Sequence, residues 1–107
     1  MEKVKRIFIS QPMKGRTATE IIRERYKIIT ALQEKIGDVE ILDSIIMKKE
    51  PQNVNTGLLN LGKSLEIMSK ADIAFFTKDW DKYRGCRIEH ECAIEYGIDI
   101  MYDEWNK

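Results

Sequence analysis

With 107 residues, 43% of them hydrophobic and 34% charged, the chain is sized for one domain with a real core, which excludes a disordered segment or a two-domain protein. Its 18 basic and 18 acidic residues cancel, removing the global field that favours nucleic-acid polymers and anionic membranes but leaving room for a small anionic ligand. The opening MEKVKRIFIS has too short an apolar run for a signal-peptide core, and no stretch nears ~20 apolar residues, so the expectation is a cytoplasmic protein.

In chain order, VKRIFIS (4–10) reads as a buried strand, and SQPMKG punctuates it with Pro12 and Gly15. Thr17-x-x-Glu20 is a capping box, so a helix runs from there to about Ile36, with Gly37 as its stop. Ile21, Ile22, Tyr26, Ile28, Ile29, Leu32 and Ile36 form its expected inner stripe. VEILD (39–43) is a second strand, and residues 44–56 are the expected long loop. Leu58, Leu61, Leu65 and Met68 recur at helical spacing, DIAFFT (72–77) is a third strand, and a helix through RGCRIEHECAIEYG (84–97) precedes a last strand, 98–102.

Alternation of apolar strands with helices predicts a small three-layer, doubly wound α/β domain over residues 1–107, built on a parallel sheet. Ligands of such sheets bind at the carboxyl ends of the strands, where the strand order reverses. That selects SQPMKGRT, FTKDWDKYRG and the terminal YDEWNK. GLLNLGKS (57–64) matches the phosphate-loop pattern in letters, but its leucines keep helical register with Leu65 and Met68 and no strand precedes it. It reads as a helix entry with an exposed Lys63. Cys86 and Cys92, about 240° apart on a helix, neither share a face nor match zinc-ligand spacing, and no metal is expected.

The residue that breaks pattern is Glu89. At ~100° per residue it falls between Tyr96 and Ala93, on a side shared with Ile88 and Cys92 that should pack inward. A carboxylate there is costly unless paired, hydrated by a cleft or functional; near a helix N-terminus it is expected to stay ionised. Two readings stand: a structural glutamate paired with Arg84 or Arg87, or a functional group with open space left by Gly85 and Ala93. Asp72 is either a loop residue opening the third strand or part of the site. Asp79 and Asp81 flank Trp80, which is either a stacking plate for a planar ligand or a lid. Ser10, Gln11, Lys14, Gly15 and Arg16 before a helix start form a candidate anion seat. His90 points away from Glu89 and reads as solvated or as an interface residue.

FISQPMKGRT, LGKSLEIMSKADIAFF and DWDKYRGCRIEHECAIEYG together resemble the nucleoside 2-deoxyribosyltransferase-like superfamily, over nearly the whole chain and most closely a compact bacterial branch. The resemblance implies a flavodoxin-like, Rossmann-like fold and cleavage of the N-glycosidic bond of 2′-deoxynucleosides or their 5′-monophosphates, without a cofactor. It implies transfer of the sugar to another base or to water. Gly85, Glu89 and Ala93 fit the family's G-x-x-x-E-x-x-x-A helix, which makes Glu89 the nucleophile by resemblance. Asp72 corresponds to the aspartate of the family's A-D-hydrophobic strand, and Asp81, Asp79 or Asp72 would handle the departing base. Ser10, Gln11, Met13, Lys14 and Gly15 match the sugar- or phosphate-contacting loop by position; Asp79, Trp80 and Gly85 complete the expected substrate-binding set. The chain departs at SQPMKG, where monophosphate hydrolases carry a glycine-rich loop, and at Tyr83, where an aspartate is frequent six residues before the nucleophile. A homodimer or higher homo-oligomer is implied, with YDEWNK completing a neighbour's site. The rival expectation is a nucleotide-binding module of the same fold without turnover.

Overall fold

The structure, a computed structural model, describes residues 4–42 and 53–104. Most of the expected long loop, residues 44–52, lies outside the described residues, as do Asp43 of the expected second strand and Trp105, Asn106 and Lys107 of the terminal segment. Four strands, β1 (Lys5–Ser10), β2 (Val39–Leu42), β3 (Ile73–Phe76) and β4 (Asp99–Tyr102), form one parallel sheet in the order β2-β1-β3-β4. Three helices connect them: α1 (Ala18–Ile36), α2 (Thr56–Met68) and α3 (Arg84–Glu95). The order makes this a doubly wound, three-layer α/β domain whose strand sequence reverses between β1 and β3.

Alternation along the strands assigns the two faces. Ile7, Ile9, Ile73 and Phe75 pack with Ile28 and Leu32 of α1. Phe8, Ala74 and Phe76 pack on the opposite face with Met68 of α2 and Ala93 of α3. Both faces of β1 and β3 are covered, which is why these strands are unbroken apolar runs rather than alternating ones.

Local chemistry fixes the helix ends. The Thr17 hydroxyl accepts the Glu20 amide at 3.1 Å, and Gly37 ends α1 at φ +84°, a conformation that disfavours any residue with a Cβ. Asn55 caps α2 by accepting the Leu58 amide at 3.0 Å, so the helix starts inside the stretch expected as loop. The inner stripe of α1 is narrower than expected. Ile21, Arg25, Ile28 and Leu32 are buried, while Ile22, Tyr26 and Ile36 are exposed. A lone helix crossing a sheet buries one i, i+4, i+7, i+11 row, and Arg25 occupies that row in place of Tyr26.

Asp72 stands at the amino end of β3. Its carboxylate accepts the Arg6 backbone amide at 2.8 Å and faces the Arg6 guanidinium at 3.5 Å, while its own amide donates to the Arg6 carbonyl at 2.8 Å. It thus pins β3 to the start of β1, at the edge of the sheet away from Ser10. The ion pair itself is half solvated and contributes little; the bond to the backbone amide carries the role. Asp72→Ala is expected to lower unfolding free energy by about 1–3 kcal/mol in a denaturant titration. Ligand affinity should be untouched; a loss of binding without a loss of stability would contradict this assignment.

Candidate functional site

The carboxyl ends of β1 and β3 meet beneath α3. Ser10 pairs with Phe76 in register, and the Thr77 amide donates to the Ser10 carbonyl at 3.2 Å. Ser10 is an even-numbered position of β1, so its side chain rises from the face that α2 and α3 cover. There its hydroxyl donates to Glu89 Oε1 at 2.6 Å. Ser64 of α2 also acts on Glu89 in the sense that favours its ionised form, so side chains of three elements converge on one carboxylate.

Glu89 is 7% exposed, and it does face inward as expected. Its ionisation does not follow the expectation. Burial pushes its pKa up from 4.5 to about 7, and the hydrogen bonds from Ser10 and Ser64 only partly oppose that rise. Glu89 is the sixth residue of α3, beyond the first turn where the helix dipole acts, so desolvation wins. The Cys86 thiol lies beside Ser10 and Glu89, and burial, chiefly, raises it to about 11, leaving an inert protonated thiol.

The buried arc of α3 is Cys86, Glu89 and Ala93, rotated from the expected one; Ile88 and Tyr96 are exposed. Gly85 leaves open space, since an added Cβ would meet nothing within 4 Å. Ala93 does not: it is packed into the core beneath the helix.

Glu89 opens on a cleft of about 990 Å³ between the β1–α1 loop and the first turns of α2 and α3. That size suits a small organic molecule. Met13 and Lys14 line one wall; Gly57, Asn60 and Ser64 of α2 and Tyr83, Arg84, Gly85 and Arg87 line the others. Among the described lining residues Glu89 is the sole carboxylate, against Lys14, Lys82, Arg84 and Arg87.

Several expected site residues are engaged elsewhere. Gln11 reaches the cleft wall, but its amide nitrogen donates to the Ile21 carbonyl at 2.8 Å and to Glu24 at 2.9 Å, and its oxygen accepts from Arg25 at 3.2 Å. Arg16 donates to Glu24 and to the Pro12 carbonyl, both at 3.0 Å. These bonds lock the loop to α1 and dismantle the expected anion seat; Gly15, at φ +78°, only turns the loop. Asp72 lies at the far end of the sheet, four strand residues away, or ~13 Å at ~3.3 Å per residue. Asp79 and Asp81 are exposed and outside the cleft lining. Asp79 adopts a left-handed φ of 66° and pairs with Lys82 at 3.3 Å, and Asp81 offers its backbone carbonyl to Arg87.

Trp80 is not a plate for the cleft. Its ring stacks on His90 at 4.0 Å between centroids, and His90 meets Phe76 edge-on at 4.9 Å and bonds Tyr102 Oη at 2.6 Å. His90 is therefore half-buried in an aromatic cluster that ties the 77–83 turn to β4, not a solvated residue. The opposite error concerns Ser64, the last letter of the phosphate-loop match, which serves the site from within a helix. Gly57, Asn60 and Ser64, at spacings of three and four on a leucine-rich helix, were the signal that α2 presents a polar face.

Among the described residues no three His, Cys, Asp or Glu side chains gather to hold a metal ion, and no helix is long and apolar enough to cross a membrane. No family model, curated protein or solved structure matches the chain.

The raised pKa of Glu89 carries a stability signature. Folded Glu89 binds its proton more tightly than unfolded Glu89, so stability is fullest below pH 4.5 and declines as pH rises to about 7. The loss above pH 7 is about 3 kcal/mol. Glu89→Gln keeps an acceptor for Ser10 but never ionises. Thermal melts of variant and wild type should coincide near pH 4.5, with the variant melting higher above pH 7; parallel curves across that range would sink the assignment.

Proposed function

We propose that the protein cleaves the N-glycosidic bond of 2′-deoxynucleosides or their 5′-monophosphates, with Glu89 as the nucleophile. One observation carries this reading: a buried carboxylate, oriented by Ser10 at the end of β1, opens on a cleft sized for a small molecule at the strand-order reversal. The family resemblance of the α3 signature supports it.

In this scheme Ser10 holds one Glu89 oxygen and the other attacks the anomeric carbon through an oxocarbenium-like transition state. The carbon–nitrogen bond pair leaves with the base, and an ester joins sugar to Glu89. With no second carboxylate among the described lining residues, the leaving base takes its proton from water or from the Tyr83 phenol at the wall. A water or second base then attacks the same carbon, releasing Glu89 as carboxylate and, after hydrolysis, a proton to solvent. Assembly into a homo-oligomer belongs to the same reading.

A second reading, a nucleotide-binding module without turnover, is favoured by the absence of a second carboxylate among the described lining residues. A panel of deoxynucleosides and monophosphates, with and without free acceptor base and followed by chromatography, separates the two. Base release that falls about 10³-fold or more in Glu89→Gln supports the enzyme. Saturable binding with no base released after hours supports the module.

The pH profile tests the role of Glu89. A nucleophile must be ionised, so kcat/KM should rise about tenfold per pH unit below pH 7 and level off above it. A profile that falls through pH 7 would make Glu89 a proton donor instead.

A further inference from the structure

The helix that carries Glu89 is itself thinly anchored. The buried arc of α3 is Cys86, Glu89 and Ala93, two small side chains and the carboxylate. Its larger apolar residues, Ile88 and Ile94, are 37% and 53% exposed. Small residues let a helix approach the sheet, but they interdigitate little and leave its roll about its own axis weakly set. Roll matters at this position, because a turn of α3 swings the carboxylate off the cleft.

Apart from Glu89, His90 is the only large side chain of α3 that is not exposed among the described residues. Three rings from three other segments hold it. It stacks on Trp80 of the 77–83 turn at 4.0 Å and 23°, meets Phe76 of β3 edge-on at 4.9 Å and 77°, and bonds Tyr102 Oη of β4 at 2.6 Å. Phe76 is in turn the register partner of Ser10, whose hydroxyl donates to Glu89. Glu89 and His90 are chain neighbours whose side chains leave the helix about 100° apart. A closed circuit results: Ser10 to Glu89, Glu89 to His90, His90 to Phe76, and Phe76 back to Ser10 across one strand spacing. A single contact would let α3 roll about it; two neighbouring contacts on two neighbouring strands do not.

We propose that His90 is a positioning residue: the rings of Phe76, Trp80 and Tyr102 grip it and so fix the roll of α3 that points the Glu89 carboxylate into the cleft. His90 lies outside the cleft lining and touches no reacting atom. The kinetic consequence rests on the reading of Glu89 as nucleophile; the positioning itself does not.

A carbon-13 NMR titration of the Glu89 carboxyl tests the positioning without substrate. Burial outweighs the opposing effects of Ser10 and Ser64 on that carboxyl and holds its midpoint at about pH 7. Loss of the grip admits water, so the midpoint in His90→Ala should fall toward 4.5 even as the Ser10 bond weakens. In turnover, kcat should fall about tenfold or more with KM within about twofold, since misaim costs the transition state more than binding. His90→Phe keeps a ring against Trp80 and Phe76 and should recover most of both. Asp72→Ala, which loosens the opposite end of the sheet, controls for lost stability and should leave the midpoint at about 7. If His90→Ala does not fold, Trp80→Leu removes the stacked ring and should move the midpoint the same way. A midpoint that stays at about 7 in the folded variant overturns the proposal, as does an equal fall in Asp72→Ala. A fallen midpoint with no base released by the wild type keeps the positioning and removes the nucleophile reading. Base release with an unmoved midpoint does the reverse.

Discussion

The hydrogen bond from Ser10 to Glu89 is the constraint around which this small domain is arranged. It joins the end of a central strand to the second turn of a helix, so it needs both partners fixed by other forces. β1 has a hydrogen-bonded neighbour on each side, β2 and β3, and core on both faces. Ala93, one turn beyond Glu89, packs against Ala74 and Phe76 of the sheet and sets the height of α3. The carboxylate is then held where its charge is poorly solvated. Its raised pKa measures what the fold tolerates at that point, in the manner of sites whose chemistry opposes stability.

The two ends of the sheet divide the work. At the amino end, Asp72 and Arg6 spend their polar groups on strand pairing. At the carboxyl end, Gln11, Glu24, Arg16 and Arg25 tie the first loop to α1, and Trp80, His90 and Tyr102 tie the next turn to β4. Both loops flanking the cleft are therefore braced from outside it. Among the described residues the cleft holds one carboxylate, the Ser64, Asn60 and Tyr83 side chains, and a rim of cations. Such a site has its walls organised in advance, which lowers the ordering cost of binding.

Element order, sheet class and the inward direction of Glu89 were legible in the sequence, because each follows from periodicity, capping and turn residues that act locally. The misreadings share a different physical origin. Trp80 and Gln11 sit on the correct rim, but whether a side chain faces ligand or protein depends on partners distant in sequence, such as His90 for one and Arg25 for the other. The exposure of Tyr26 and the burial of Arg25 depend on which helical row meets the sheet, which apolar content alone left ambiguous. Ser64 was hidden by a letter match that drew attention to a loop mechanism, when the relevant pattern was a polar row on a helix. Asp72 was placed by resemblance; its strand position, just ahead of the apolar run, already put it at the amino end.

The charges of the cleft and the proton affinity of Glu89 bear on each other. Burial, partly opposed by Ser10 and Ser64, raises the pKa of Glu89 to about 7, and a second negative charge brought beside it raises it further. A phosphorylated ligand would thus suppress the nucleophile it needs unless its own charge is met close by. Arg84, five residues before Glu89 on one wall, and Lys14 across the cleft place positive charge at its rim. Expulsion of rim water on binding strengthens their attraction for Glu89 as well, because the intervening dielectric falls. Under the proposed reading, the cations at the rim favour the ionised carboxylate at the moment of attack.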